Sequence, residues 1–416
     1  MTNLIPNQKE DKMIKDTIRL YLILRALSTF GVSFISAVYV TFLITRGLDL
    51  FQVNLVNAVF FATMFLFEIP TGAIADVFGR KISFVLSNIL FGLGMLLYAA
   101  STSFWGFAAA ESLGAIGATF ASGAFQAWMV DKLRHHGHTG TLSKVFAREQ
   151  QVGSACAIIG GLMGAFLADR FLPLPWIIGG AVMLITALAA GIFMKEEYFV
   201  RQKFSFPAGI ASMKNTVRTS IRYGMRHKTV RFILVIGTIQ YLAVMAPNMQ
   251  WQPLFLPHLT GKTELGYLWV AMALAMILGA QLAPWLLRKT ISEKQALIVS
   301  QVVIGLGVLG AVAARSFGIA LSSFLIHELA RGAFRPLKDQ YLHDNIPSKE
   351  RATLVSFESI SHHIGGLIGL VASGFIAESA GIPWAWTLSG LVLIAGTLLV
   401  AKNGRASLNS KSTQRA

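Results

Sequence analysis

The chain has 416 residues, is 54% hydrophobic and only 13% charged, and has a mean hydropathy of +0.59, too apolar for an ordinary soluble domain. A net charge of +16 would suit a nucleic-acid binder if the basic residues formed one polar face, but they are spread among apolar runs along the whole length. Its single cysteine, Cys156, sits in one of those runs, which excludes disulfides and thiolate metal sites as organising features.

Apolar runs of roughly 20 residues recur, enough at about 1.5 Å per residue to cross a hydrocarbon core. Twelve spans are expected, over 17–44, 50–75, 82–101, 104–130, 146–169, 174–194, 231–256, 264–287, 295–314, 317–342, 352–378 and 382–401. Barrel strands would alternate apolar and polar residues, which these runs do not. The fold class is therefore an all-α membrane protein of twelve helices. The polar start mixes Glu10, Asp11 and Asp16 with lysines, and the first run is longer than the apolar core of a cleavable signal, so no removed leader is expected.

Along the chain, the second run carries Glu68 and leads into GAIADVFGRK at 72–81. Gly72 is expected to allow close helix approach, Gly79 to permit a tight reversal, and Arg80 and Lys81 to anchor at the membrane surface. The fourth run holds Glu111, Gln126 and Trp128, and is followed by HHGH at 135–138, which reads as a solvated basic loop rather than a metal site. The polar stretch 195–230 separates an N-terminal bundle, 1–194, from a C-terminal bundle, 231–416. Its second half spaces Met213, Val217, Ile221 and Met225 among basic residues, which suits either an amphipathic helix on an anionic leaflet or a solvated tether.

The seventh run, IQYLAVMAPNMQWQP at 239–253, should be broken at Pro247 and Pro253. Its Gln240, Tyr241, Asn248 and Trp251 offer amide and aromatic surfaces to a ligand, although end packing would equally account for Trp251. Glu328 with Arg331, and Glu358 with His362, lie at spacings that share a helix face. They form either a proton-carrying cluster or a structural tie between the tenth and eleventh helices. A charge in mid-bilayer is costly, so each should be partnered, wet or functional.

If the N-terminus is inside, 29 Lys and Arg fall in connections on that side against 4 on the other, with Arg25, Arg331 and Arg335 inside helices. That bias places both termini in the cytoplasm and leaves no charge to be explained by nucleic acid. The halves also repeat: GGLMG at 160–164 returns as GGLIG at 365–369, Pro175-Trp176 as Pro383-Trp384, and Arg80-Lys81 as Arg288-Lys289.

Twelve spans, a central basic stretch, two related halves and GAIADVFGRK after the second span together resemble the major facilitator superfamily, over essentially the full chain. The decapeptide matches that family's GxxxDxxGR(K/R) loop at each defined position. The second copy, GAQLAPWLLRK, keeps Gly279, Arg288 and Lys289 but has Ala283 at the acid's place. The resemblance implies two pseudo-symmetric six-helix bundles working by alternating access. It also implies that Asp76 contacts the start of the eleventh helix near Arg351 as a gating latch, and that the first, fourth, seventh and tenth helices line the cavity. Two family patterns are missing: Glu111 stands in ESLGAIGATF where many members have arginine, and CAIIGG lacks the proline of the antiporter pattern.

The expected function is proton-coupled export of a drug or metabolite across the bacterial inner membrane, with uptake, or a non-transporting receptor or scaffold, as alternatives. Intramembrane arginines point to an anionic or zwitterionic solute such as a carboxylate or siderophore. The candidate residues are Gly72, Asp76, Gly79, Arg80 and Lys81 for gating, and Arg25, Glu111, Gln126, Gln240, Tyr241, Asn248, Trp251 and Arg331 for the cavity. Glu68, Glu328, Glu358 and His362 are the candidates for proton coupling. No Walker loop, HExxH or nucleophile elbow is present, so neither enzymatic activity nor a cofactor is expected. The partners are the solute, protons or another coupling ion, and lipid, with the monomer as working unit.

Overall fold

The structure, a computed structural model, describes residues 8–199, 228–288, 292–345 and 348–412. In chain order the helices are α1 (Gln8–Ser33), α2 (Tyr39–Thr45), α3 (Leu50–Phe78), α4 (Arg80–Ala100), α5 (Phe104–Ala121), α6 (Ala124–His135), α7 (Ser143–Arg170) and α8 (Leu174–Phe193). They continue as α9 (Lys228–Phe255), α10 (Lys262–Arg288), α11 (Glu293–Ala313), α12 (Phe317–Asn345), α13 (Ser348–Ala380) and α14 (Ile382–Ser412). Apolar solvent leaves no partner for a bare N–H or C=O, so each segment satisfies its backbone internally as a helix.

Among the described residues, ten helical segments are long and apolar enough to cross a bilayer. Those ten do not include the charged first span or α12, which carries Glu328, Arg331, Arg335, Lys338 and Asp339. Two expected spans are interrupted. The first is split by turns at 34–38 into α1 and α2, and the fourth divides at Ser122-Gly123, where Gly123 takes φ 71°. The break expected at Pro247 and Pro253 does not occur: α9 runs through both, as α3, α10 and α12 run through Pro70, Pro284 and Pro336. A proline removes one ladder bond, and in a membrane helix neighbouring groups make up that loss.

The chain forms two compact units, one of Met1–Phe42, Ala62–Ile210 and Gly261–Gly266, the other of Leu43–Phe61, Ala211–Thr260 and Tyr267–Ala416. The core of the first is aromatic: Phe125 stacks on Phe84 at 4.0 Å and on Tyr21 at 4.6 Å, beside buried Trp128 and Met129. That of the second is built on Ile233, Ile236, Leu297, Ile304 and Leu337. Lipid tails are as apolar as leucine, so helices in a membrane hold together by close packing of small residues. On α7, Gly164 lies against the Phe34 carbonyl and Gly160 against Phe30 and Ser33 of α1. On α13, Gly369 lies against the Leu242 carbonyl and Gly365 against that of Thr238 on α9. GGLMG and GGLIG therefore make equivalent helix contacts, one in each unit. The pairs Gly92 with Gly180 and Gly305 with Gly390 repeat the arrangement between α4 and α8 and between α11 and α14.

Candidate solute cavity and intramembrane charges

In the first unit, α1, α4, α6 and α7 enclose a cavity of about 250 Å³ lined by Arg25, Ser28, Phe84, Phe125, Gln126 and Glu149, among others. Arg25 lies well inside α1, and its Nε sits 3.5 Å from Glu149 Oε1 on α7. The two side chains differ in exposure, 42% for Arg25 against 8% for Glu149. Gln126, at the start of α6, donates from Nε2 to both oxygens of Glu149 at 3.3 and 3.4 Å. Glu149 is thus buried and held from two sides, while the partly exposed Arg25 side chain lines the same cavity as the stacked Phe84 and Phe125. The chemistry offered is a planar cationic donor against an aromatic wall.

Glu111 is absent from that lining. It stands two turns into α5 and is 8% exposed. Its Oε1 accepts hydrogen bonds from Tyr39 of α2 at 2.5 Å and from Tyr98 of α4 at 3.0 Å, and the two hydroxyls are 3.1 Å apart. Phe42, Phe107 and Trp176 pack around Tyr98. The split in the first span is what aims Tyr39 at this carboxylate, because α2 starts at that residue after the turn.

In the second unit, Glu328 of α12 is 1% exposed and lies 3.3 Å from Arg331 Nη1. Arg331 also donates to Asn248 Oδ1 on α9 at 2.6 Å and reaches the Met276 sulfur on α10 at 3.6 Å. His327, fully buried, places Nδ1 3.1 Å from the Ile304 carbonyl. On the eleventh expected span, His362 stacks on Tyr241 with ring centroids 4.0 Å apart. Asn248 and Tyr241 are two turns apart on α9, so Arg331 and His362 meet that helix at different depths. Trp251 is 3% exposed and Gln240 is 7% exposed. Glu68 is exposed on α3, and Arg335, 87% exposed, lies 3.9 Å from Asp339.

At the GAIADVFGRK end, Gly79 has φ 97° and reverses the chain between α3 and α4. The segment after α8 closes on this turn. Glu196 accepts from the backbone N–H groups of Arg80 at 2.9 Å and Lys81 at 3.2 Å, the orphan donors at the start of α4. Arg80 itself pairs with Asp131 of α6. A side chain at 79 would strike Glu196 Oε2, whereas a Cβ at Gly72 would meet nothing within 4 Å. Close approach is therefore made at the second-half counterpart Gly279, against the Leu329 carbonyl, and not at Gly72. The side chains of Asp76, Arg351 and Glu358, and the basic segment 213–225, lie outside the described residues. Beyond the membrane ends, burial and then the neighbouring His135 and Lys132 lower the His136 pKa, and burial beside Glu196 raises that of the Tyr198 phenol.

Sequence reasoning missed Glu149 as the partner of Arg25, Tyr39 and Tyr98 as donors to Glu111, and Glu196 as the cap of α4. These contacts join residues far apart in the chain, and no local spacing announces them.

A sequence model of the Major Facilitator Superfamily matches residues 21–290 and, again, 233–415. The chain belongs to the major facilitator superfamily. Among its relatives are the protein named uncharacterized MFS-type transporter YxaM of Bacillus subtilis (strain 168), 24% identical over 80% of this chain and 82% of that one. Multidrug resistance protein 2 of the same organism is 21% identical over 81% and 84%. The fold is also that of a nucleoside transporter, NupG (TM-score 0.73, 14% identity, 94% of this chain and 98% of that one). It is shared by a bacterial homologue of the human lysosomal transporter Spinster (0.71, 15%, 94% and 97%). The chain is accordingly a multi-pass membrane protein and a secondary transporter of this superfamily.

Proposed function

We propose that this transporter exports a small organic solute carrying a carboxylate or similar anionic group across the bacterial inner membrane in exchange for protons. Both termini face the cytoplasm, and the site alternates its access within the monomer. The observation that carries the reading is the cavity of the first unit, which the partly exposed Arg25 lines together with the stacked Phe84 and Phe125, while Gln126 also engages Glu149. Guanidinium binds carboxylate in a planar, bidentate fork, and an apolar ring next to it accepts the rest of a small organic acid. The bias of basic residues supports the orientation. A relative named for multidrug resistance supports export, and a structural neighbour described as an organic anion transporter shares the fold at a TM-score of 0.63.

The test uses liposomes holding the full chain and a pH-sensitive dye, screened with organic acids, siderophores and lipophilic drugs. An organic acid should move protons in wild-type liposomes and lose at least tenfold of that flux in Arg25→Ala. Proton flow opposite in sense to the solute identifies export; flow in the same sense makes it uptake. Solute movement with no proton movement would overturn the coupling.

A further inference from the structure

Three buried carboxylates lie in the spans at described positions, and two of them have a cation. Glu149 has Arg25 at 3.5 Å and Glu328 has Arg331 at 3.3 Å. Glu111 has none among the described residues. The described titratable groups bonded to it are Tyr39 from α2 and Tyr98 from α4, both hydroxyl donors, and Phe42, Phe107 and Trp176 pack against Tyr98. A carboxylate in a low-dielectric site is costly without a counter-charge, and two hydroxyl donors offset only part of that cost. A proton removes the charge altogether.

The geometry also provides a place for that proton. Both tyrosines converge on Oε1, and Oε2 accepts a hydrogen bond from no described residue. Protonation at Oε2 therefore leaves both tyrosine bonds intact, with Oε1 as carbonyl oxygen instead of carboxylate oxygen. No partner has to be displaced, in contrast with Glu149 and Glu328, where neutralising the acid strands an arginine. We propose that Glu111 is the site that binds the coupling proton, separate from the solute cavity at Arg25 and Glu149. The step is one proton onto Oε2 and the same proton off it. It rests on the proton-coupled reading above. It makes coupling indirect, since proton and solute then occupy different places in one unit.

The experiment is infrared difference spectroscopy of the full-length protein in liposomes, stepped in pH with no solute present. Wild type should show a protonated-carboxyl stretching band that appears and vanishes with pH. It should be absent in Glu111→Gln, whose amide oxygen still accepts from both tyrosines and so keeps the local structure. Tyr39→Phe and Tyr98→Phe should each keep the band but move its frequency, because each removes a hydrogen bond to that group; these variants decide the matter even if Glu111→Gln fails to fold. In the dye-loaded liposomes, a solute that moves protons with wild type should move none with Glu111→Gln. A band unchanged by all three substitutions, or no titrating band in wild type, would overturn Glu111 as the proton site while leaving proton coupling open to another group. Absence of solute-triggered proton flux in wild type, with the band intact, would overturn the coupling reading instead.

Discussion

Arg331 and Glu328 show how a membrane span tolerates charge at the scale of single residues. Glu328 is 1% exposed and depends on one guanidinium, which is itself shared with Asn248. Removing one member of such a pair leaves an uncompensated buried charge, at a cost of about 3–5 kcal/mol, whereas replacing both with apolar groups of similar volume is close to neutral. Arg331→Met should therefore lower the thermal unfolding temperature in detergent strongly, and Arg331→Met with Glu328→Met should restore most of it; additive losses would show that the two do not act as a pair. The spacing of Glu328 and Arg331 was legible in the sequence because i,i+3 neighbours share a helix face. The tyrosines of Glu111 were not, since Tyr39 and Glu111 are separated by 72 positions and meet only because the first span is broken.

Glycine placement governs how the elements pack. Gly164 and Gly369 face backbone carbonyls of neighbouring segments so closely that no side chain fits, while Gly72 faces open space. Enlarging a residue in a packed contact forces backbone shifts costing about 1–3 kcal/mol or more. Gly164→Leu and Gly369→Leu should each cut the yield of folded protein and its unfolding temperature. Gly72→Ala should be neutral or stabilising by about 0.5–1 kcal/mol, because it trades glycine's backbone entropy for a helix former. An equal loss at all three positions would mean that GGLMG and GGLIG are not contact stripes. The two stripes were visible as a repeat in the sequence; which helices they touch was not, because a repeat gives equivalence between elements and says nothing of their neighbours. The prolines of α9 misled for a related reason. Their helix-breaking tendency is local, and the membrane penalises an open backbone more heavily than the lost bond.

The whole molecule is organised by orientation in the bilayer. With Cys156→Ser as background, Thr141→Cys, on an exposed loop at the GAIADVFGRK end, should react with a membrane-impermeant maleimide only after permeabilisation. Arg315→Cys, exposed in the turn between α11 and α12, should react on intact cells. The reverse pattern would invert the topology and with it the direction of export. Composition and pattern alone determined that this chain crosses a membrane repeatedly as helices, that its halves are related and that it resembles the superfamily to which it belongs. They sufficed because transfer of apolar runs into lipid and satisfaction of the backbone are properties of each segment by itself. Tertiary structure decided which charges are paired: Arg25 with Glu149, Arg331 with Glu328 and Asn248, and Glu111 with two tyrosines and, among the described residues, no cation. Electrostatic partnership acts over a few ångströms between helices remote in sequence, so only their packing reveals which buried acid lacks a counter-charge.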